Sequence, residues 1–249
     1  MNIIQPVNAE EKDFYRHILD LIEISEKICQ PRFSFFLTER EQQLAKLAAQ
    51  SVGADYDFWG GYESAARKMF SSPSSDESDY PLDSITFLFR RQDKLTHRDF
   101  LGALMSLGIQ RDQIGDIAVS EGGAVTFVSK NISSLILSEV DKIGRVGVRT
   151  EYGIKIEIPK QEFEEIAAVA ASVRIDAIVA AACAISREKA ALMIKSGNVI
   201  VNGVEICSSS KNLELSDTFS VKGYGKFVFS QLGNETKKGK YHILINKYK

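Results

Sequence analysis

The chain is poor in the residue types that build disulfide frames and metal sites. Its 249 residues include only three cysteines and three histidines, all widely separated. Because the thiols are odd in number and lack a Cys-x-x-Cys pair, the sequence predicts neither a disulfide framework nor a zinc site. Cysteine is most often found inside proteins, so Cys29, Cys183 and Cys207 are predicted to be small buried or half-buried apolar side chains.

Long apolar stretches are also missing. No run approaches the roughly 18–20 apolar residues that cross a bilayer. The opening segment 1–6 lacks the basic start and apolar stretch of a secretion signal. Together these two absences predict a cytoplasmic protein without a membrane partner.

Charge is distributed unevenly along an otherwise ordinary globular composition of 44% hydrophobic and 26% charged residues. The formal net charge is −2, but residues 1–171 hold 19 Lys/Arg against 27 Asp/Glu, whereas residues 172–249 hold 12 against 6. A basic end on an acidic body is typical of a chain in which one part meets a polyanion. A lysine-rich solvated tail is the alternative interpretation.

The first part of the chain is predicted to be mainly helical. Apolar residues recur near every 3.6 positions over Phe14–Ile28, which predicts an amphipathic helix. Thr38 and Glu41 have the spacing of a capping box at the start of a second helix. Helical spacing over Tyr62–Phe70 predicts a third. The polar, proline-bearing segment 71–82 then predicts a linker or mobile loop.

In the middle of the chain the spacing of apolar residues changes, and strands alternate with helices. The predicted elements are, in order, a strand at 85–89, a helix at 96–107, strands at 114–119 and 125–129, a helix from Asn131 to about Asp141, and a strand at 145–151. This β-α-β-β-α-β order is the split βαβ arrangement of ferredoxin-like domains and of the RNA recognition motif, whose central strands stack bases on aromatic rings. Phe87, Phe89 and Phe127 are candidates for stacking. Because the glycine- and aromatic-rich signature is missing from 124–128, packing beneath the helices is the preferred interpretation.

The last part is predicted to be two short helices on small antiparallel strands. A helix over 159–170 leads into it, a second begins near Ile175, and a third is capped by Ser186. A tight hairpin turns at Asn202-Gly203. The predicted fold class is α+β, with a mainly helical domain at 1–75, a ferredoxin-like, RNA-recognition-motif-like domain at 83–158 and a small αα-β domain at 172–249.

The helix start at Ser186 carries the first candidate RNA contacts. Its free amides and the positive end of the helix dipole suit a phosphate. Arg187 and Lys189 occupy the first turn, where the dipole favours acids, so cations there predict an anionic partner. Arg174, Lys195, Lys222 and Lys226 are predicted to extend this positive surface; for each, a solvated side chain is the alternative.

The same residues resemble the RNA-binding domain first described in ribosomal protein S-four. That family's pattern is Arg-Leu-Asp, Ser-Arg, Ile-x-x-Gly-x-Val-x-Val-Asn-Gly and Gly-Asp, and it is matched in order at 174–176, 186–187, 194–203 and 216–217. The departures are Ile175 for leucine and Ser216 for glycine. Asn198 and Asn202, which lie in the third segment, complete the candidate RNA-binding set.

Three further stretches, 36–42, 58–63 and 107–117, resemble signature segments of the bacterial YlmH family. This resemblance implies a helical N-terminal domain, a middle domain like an RNA recognition motif, and a C-terminal domain of the S-four type. It also implies a protein of the translation apparatus that binds ribosomal RNA or tRNA on the large ribosomal subunit, in rescue or quality control of stalled ribosomes. A cell-division scaffold is a weaker alternative, because family genes lie among division genes.

The main alternative class is an RNA-modifying enzyme, since pseudouridine synthases carry the same small domain. Such an enzyme carries its catalytic aspartate in a large catalytic domain. Asp176 is the candidate aspartate here, but it lies at the start of the small domain itself. A methyltransferase needs a glycine-rich loop, but 121–123 is better explained as a hairpin turn. His17, His97 and His242 are isolated and form no nucleophile or metal constellation. The sequence therefore predicts a non-catalytic RNA-binding protein without cofactor or metal.

Overall fold

The computed structural model describes residues 5–159, 162–235 and 239–248. The chain divides into two compact units, Met1–Lys160 and Gln161–Lys249, and each is described by itself. Among the described helices, none combines the length and apolar character that a membrane span requires.

The first unit begins with two helices and a small sheet. Helix α1 spans Ala9–Ile28, strand β1 Arg32–Leu37, helix α2 Glu39–Val52, strand β2 Asp57–Trp59 and strand β3 Lys68–Ser72. The strands form an antiparallel sheet of order β1-β3-β2. Both predicted helices are confirmed, as is the capping box, in which the Glu41 carboxylate accepts from the Thr38 amide at 2.7 Å.

The third helix, predicted over Tyr62–Phe70, is wrong. The stretch turns and then enters β3, the central strand of the small sheet. The Asp116 carboxylate accepts the amides of Ala66 and Arg67, at 2.6 and 3.0 Å, and so holds the backbone in a turn. Helical spacing of apolar residues is therefore accidental here, because a distant carboxylate decides the backbone conformation.

The segment 71–82 also differs from the predicted linker or mobile loop. Ser71 and Ser72 are buried at the end of β3, and Tyr80 is buried in the core. The hydroxyl of Ser71 donates to the carbonyl of Pro73, and that of Ser72 to the carbonyl of Asp55. The polar composition of this segment suggested that it is exposed to solvent. Hydrogen bonds to backbone carbonyls instead satisfy the two serine hydroxyls inside the fold.

The rest of the first unit is a four-stranded antiparallel sheet with helices on one face. Its elements are β4 Leu82–Leu88, α3 His97–Ser106, β5 Ile114–Ser120, β6 Gly123–Ser129, α4 Lys130–Glu139, the hairpin β7 Lys142–Ile143 with β8 Val146–Gly147, and β9 Arg149–Tyr152. The strand order β5-β6-β4-β9 confirms the predicted split βαβ topology. Ser129, not Asn131, is the N-cap of α4.

Both faces of this sheet are buried. Phe87 packs against Phe100 of α3, with ring centroids 5.4 Å apart, and the half-buried Phe89 contacts the same ring. On the opposite face Phe127 lies in a cluster with Phe36, and the ring of Tyr62 stacks on it at 5.0 Å. Packing beneath the helices is confirmed for Phe87 and Phe89 but wrong for Phe127, which N-terminal residues cover. The rings of Phe87 and Phe127, at 0% and 1% exposure, are not open for base stacking.

The second unit is a six-stranded antiparallel sheet with two short helices. Its elements are β10 Phe163–Ala170, α5 Ile175–Ala182, α6 Arg187–Lys195, β11 Val199–Val201, β12 Val204–Glu205, β13 Thr218–Val221, β14 Gly225–Glu235 and β15 Tyr241–Tyr248. The sheet order is β10-β15-β14-β13-β11-β12. The two helices from Ile175 and Arg187 are confirmed, as is the hairpin, with Asn202 and Gly203 both at positive φ.

The helix predicted over 159–170 is wrong, because its described residues from Phe163 onward form β10. This strand pairs with β15 along its whole length, from Phe163 opposite Tyr248 to Ala170 opposite Tyr241. A continuous ladder of backbone hydrogen bonds outweighs the weak helical preference of an alanine-containing stretch.

Two of the three cysteines depart from prediction, because Cys29 and Cys207 are exposed, whereas Cys183 is half-buried as predicted. Burial raises the pKa of the Cys183 thiol to about 11.

Since the thiolate is the reactive form, we expect iodoacetamide at neutral pH to label Cys29 and Cys207 quickly and Cys183 only after denaturation. Intact-mass analysis with and without denaturant counts the labels. Three fast labels on the folded protein would contradict the expectation.

Candidate RNA-binding surface

Two predicted arginines meet on one buried carboxylate in the second unit. Asp176, in the first turn of α5, is 5% exposed. Arg174 donates to it through Nε at 3.2 Å and Nη2 at 3.0 Å. Arg187 donates through Nε at 3.0 Å and Nη2 at 3.1 Å. We call Arg174, Asp176 and Arg187 the arginine clamp; it ties the start of α5 to the start of α6.

The clamp leaves both arginine side chains partly in solvent. The side chains of Arg174 and Arg187 are 39% and 44% exposed, whereas that of Asp176 is 7% exposed. Burial opposes ionisation of Asp176, but the hydrogen bonds from Arg187 and Arg174 outweigh it and hold the pKa of the carboxyl below its usual value. The clamp therefore combines one anion with two cations and carries a net positive charge near the surface.

The clamp corrects the argument from the helix dipole. That argument treated Arg187 only as a first-turn cation whose presence predicts an anionic partner. The guanidinium of Arg187 instead donates two hydrogen bonds to the buried carboxylate of Asp176, eleven positions earlier in the chain. A contact across two helices is invisible to a rule that considers one helix at a time, so Arg187 has a structural role as well as an exposed face.

Ser186 is the N-cap of α6, as predicted, and its hydroxyl accepts the Lys189 amide at 3.2 Å. The hydroxyl is thus engaged within the helix. The side chains of Lys189 and Glu188 are both exposed in the same first turn. Lys189 therefore adds a positive charge to the end of α6 that holds Arg187, and Glu188 adds a negative one.

A second group of candidates lies at the other end of α6. The nine residues of the helix rise about 12 Å from Arg187 to Lys195, at roughly 1.5 Å per residue. Beyond Lys195, the amide of Lys222 donates to the carbonyl of Asn198 at 3.0 Å. These two residues line a shallow groove of about 550 Å³ together with Tyr224. The structure thus brings Asn198 and Lys222 together beside an aromatic ring, separate from the clamp.

Asn202 is a structural residue rather than a surface contact. It is 9% exposed. Its Nδ2 donates to Asp217 at 2.6 Å and its Oδ1 accepts the amide of Thr218 at 2.9 Å. Both ends of the side chain are engaged in holding the hairpin turn, so Asn202 has a structural role, and its assignment to RNA stays a prediction. Lys226 lies on β14 with its Nζ 5.1 Å from the ring centroid of Tyr248, a cation–π contact.

Sequence reasoning missed Asp176 as part of this surface. It was considered as part of the matched pattern at 174–176 and as a possible catalytic acid, but not as a partner of both arginines. The spacing could show that Arg174 and Asp176 are neighbours at a helix start. It could not show that Arg187 closes on the same carboxylate, because that contact depends on how α5 and α6 pack.

The three signature stretches of the first unit meet at one junction. From the second stretch, the hydroxyl of Tyr62 donates to Asp116, in the third, at 2.8 Å. Arg67 donates to the carbonyl of Phe36, in the first, at 2.8 Å. A side chain added at Gly115 would strike the ring of Phe36. These residues attach the N-terminal elements to β5. Packing therefore accounts for the residue types found in the three signature stretches.

No metal centre is found in the part of the chain that the structure describes: it holds no group of three or more His, Cys, Asp or Glu residues arranged to bind an ion.

Comparisons with known proteins find similarity to a family model, to a curated protein and to a solved structure. Residues 75–156 match the family model described as "Putative RNA-binding domain in YlmH". The chain is 28% identical over 262 residues to "Ribosome-associated protein quality control protein P2" of Bacillus subtilis (strain 168), with 100% of this chain and 99% of that protein covered. It also resembles the solved structure "Cell division protein ylmH from Streptococcus pneumoniae", at 24% identity and a TM-score of 0.53, over 61% of this chain and 98% of that one. The last likeness concerns the fold alone. Residues 75–156 are therefore similar to the RNA-binding domain of YlmH proteins, and the similarity to the Bacillus subtilis protein extends over the whole chain.

Proposed function

We propose that this protein binds ribosomal RNA or tRNA on the large ribosomal subunit and acts in rescue or quality control of stalled ribosomes, without catalysis. The observation that carries the proposal is the arginine clamp, which presents two partly exposed guanidiniums on the basic unit of an acidic chain. The name of the Bacillus subtilis relative supports a ribosome-associated role. The cytoplasm, where ribosomes work, is the proposed location.

The second unit is proposed to be an S-four-type RNA-binding domain. Its two helices and Ser186 cap follow the order of that pattern, and residues 172–249 hold 12 cations against 6 acids. Phosphates supply most of the affinity in such complexes, and a planar guanidinium matches two phosphate oxygens at once. The division into domains at 1–75, 83–158 and 172–249 stays a prediction.

The proposed absence of catalysis follows from the use of Asp176. An RNA-modifying enzyme of the pseudouridine synthase type would need a carboxylate free to react with its substrate. Here the Asp176 carboxylate is buried and receives four hydrogen bonds from two arginines. A group that is fully engaged in holding two helices together is poorly placed for chemistry on a base.

We expect the second unit to carry most of the RNA affinity. Residues 161–249, prepared alone, should bind a labelled ribosomal RNA hairpin nearly as well as the full chain, with log affinity falling by roughly 0.7–0.9 per phosphate contact as log salt rises. Fluorescence anisotropy at several salt concentrations measures both quantities. Residues 1–160 serve as the matched fragment.

Strong binding by residues 1–160 together with no binding by a folded 161–249 fragment would assign RNA recognition to the other unit. Sedimentation of the full chain with purified ribosomal subunits, followed by crosslink mapping, then tests the ribosomal part of the proposal. Recovery with the small subunit alone would contradict it.

A further inference from the structure

We infer that Asp176 is a positioning residue for RNA: it fixes the guanidiniums of Arg174 and Arg187 so that their remaining donor edges face the same stretch of phosphate backbone. The inference rests on the proposed function and goes beyond it, because it assigns a role in binding to a buried acid that touches no RNA. The observation behind it is four hydrogen bonds of 3.0–3.2 Å converging on one carboxylate.

The atoms used in the clamp show what remains for a ligand. Each arginine donates to Asp176 through its Nε–H group and one hydrogen of Nη2. A guanidinium carries five N–H donors, so the Nη1 group and the second Nη2 hydrogen stay outside these bonds. That edge is itself a two-nitrogen fork, the geometry that binds phosphate oxygens in pairs. The carboxylate thus holds one edge of each arginine while the other points away from it.

Preorganisation explains why an acid would benefit an RNA-binding surface. A free arginine loses much rotamer freedom when it binds a phosphate. In the clamp that rotamer freedom has already been lost on folding. The side chains are still partly exposed, by 39% for Arg174 and 44% for Arg187. Two fixed forks at the starts of two neighbouring helices therefore bind an anion with little further loss of entropy.

Electrostatics alone predicts the opposite sign. A carboxylate beneath two arginines repels a phosphate, so removing its charge should strengthen RNA binding if Asp176 acts only through charge. If it acts by positioning, removing its charge should weaken binding although the protein becomes more positive. The two roles are therefore separated by the direction of the effect.

The experiment compares Asp176→Asn with Glu188→Gln in the full chain. Glu188 is exposed in the first turn of α6, so its variant makes the same change in net charge without touching the clamp. Binding is measured by anisotropy with a labelled ribosomal RNA hairpin at several salt concentrations, with a thermal melt of each protein. We expect Asp176→Asn to lose about tenfold in affinity and to flatten the salt slope by roughly 1–2 units, and Glu188→Gln to bind as tightly as wild type or slightly tighter.

Arg187→Lys keeps the test decisive if Asp176→Asn does not fold. Lysine preserves the charge but has no fork. Weaker binding with a flatter salt slope and a folded melt supports positioning, whereas affinity equal to wild type overturns it. A folded Asp176→Asn that binds as well as Glu188→Gln also overturns it. If the wild-type chain itself does not bind the hairpin or large ribosomal subunits, it is the proposed function that fails.

Discussion

Gly61→Ala is expected to lower the free energy of unfolding of the first unit by about 2–5 kcal/mol, from left-handed backbone strain and overpacking together. Gly61 has φ +96°, and an added methyl carbon would lie 2.2 Å from Cδ1 of Phe127. The ring of Phe127 has little room to move, because it is 1% exposed and the ring of Tyr62 stacks on it at 5.0 Å. Urea unfolding of residues 1–160, followed by circular dichroism, measures the loss.

Gly53→Ala is the matched control. Gly53 also has a positive φ, +68°, but nothing lies within 4 Å of the position where a methyl would be placed. This variant should lose only the backbone part, about 1–2 kcal/mol. Equal losses for the two variants would mean that the contact between residue 61 and Phe127 contributes nothing to stability.

Arg187→Ala is expected to reduce both stability and RNA affinity. Removing one partner of a buried carboxylate costs about 3–5 kcal/mol when the charge is left unpaired. Here Arg174 remains and Arg187 is 44% exposed, so solvent screening lowers the expected loss to about 1–3 kcal/mol. Losing about one phosphate contact should flatten the slope of log affinity against log salt by roughly 0.7–0.9.

Lys189→Ala gives the comparison for this second prediction. It removes the same charge from the same turn of α6, where Lys189 is exposed and only its backbone amide bonds to Ser186. We expect its stability to stay within about 0.5 kcal/mol of wild type. Thermal melts of the full chain separate the two variants, and salt titrations measure the slope for each. An unchanged melt for Arg187→Ala would show that the clamp does not stabilise the second unit.

Local features of the fold could be predicted from sequence because their causes are local. The capping box at Thr38 and the cap at Ser186 each join residues three positions apart. The alternation that predicted the ferredoxin-like sheet is likewise a property of short segments. Strand β10 and the sheet of β1, β2 and β3 were missed because a strand becomes stable through pairing with a segment far along the chain.

The candidate site shows the same limit in its chemistry. Charge balance and the pattern at 174–187 were enough to single out both arginines. The buried acid between them escaped notice, since its effect depends on the packing of two helices. Asn202 was assigned to RNA because a motif does not distinguish a side chain that holds a turn from one that touches a ligand.

The covering of Phe127 has a consequence for how the parts of this protein can be inherited. Residues 75–156 match a family by themselves, yet one face of their sheet is covered by Phe36, Met69 and Tyr62 from the preceding elements. Moved into another protein by recombination, that segment would arrive with an uncovered apolar face. Residues 75–156 must therefore be inherited together with the residues before them, which cover this face.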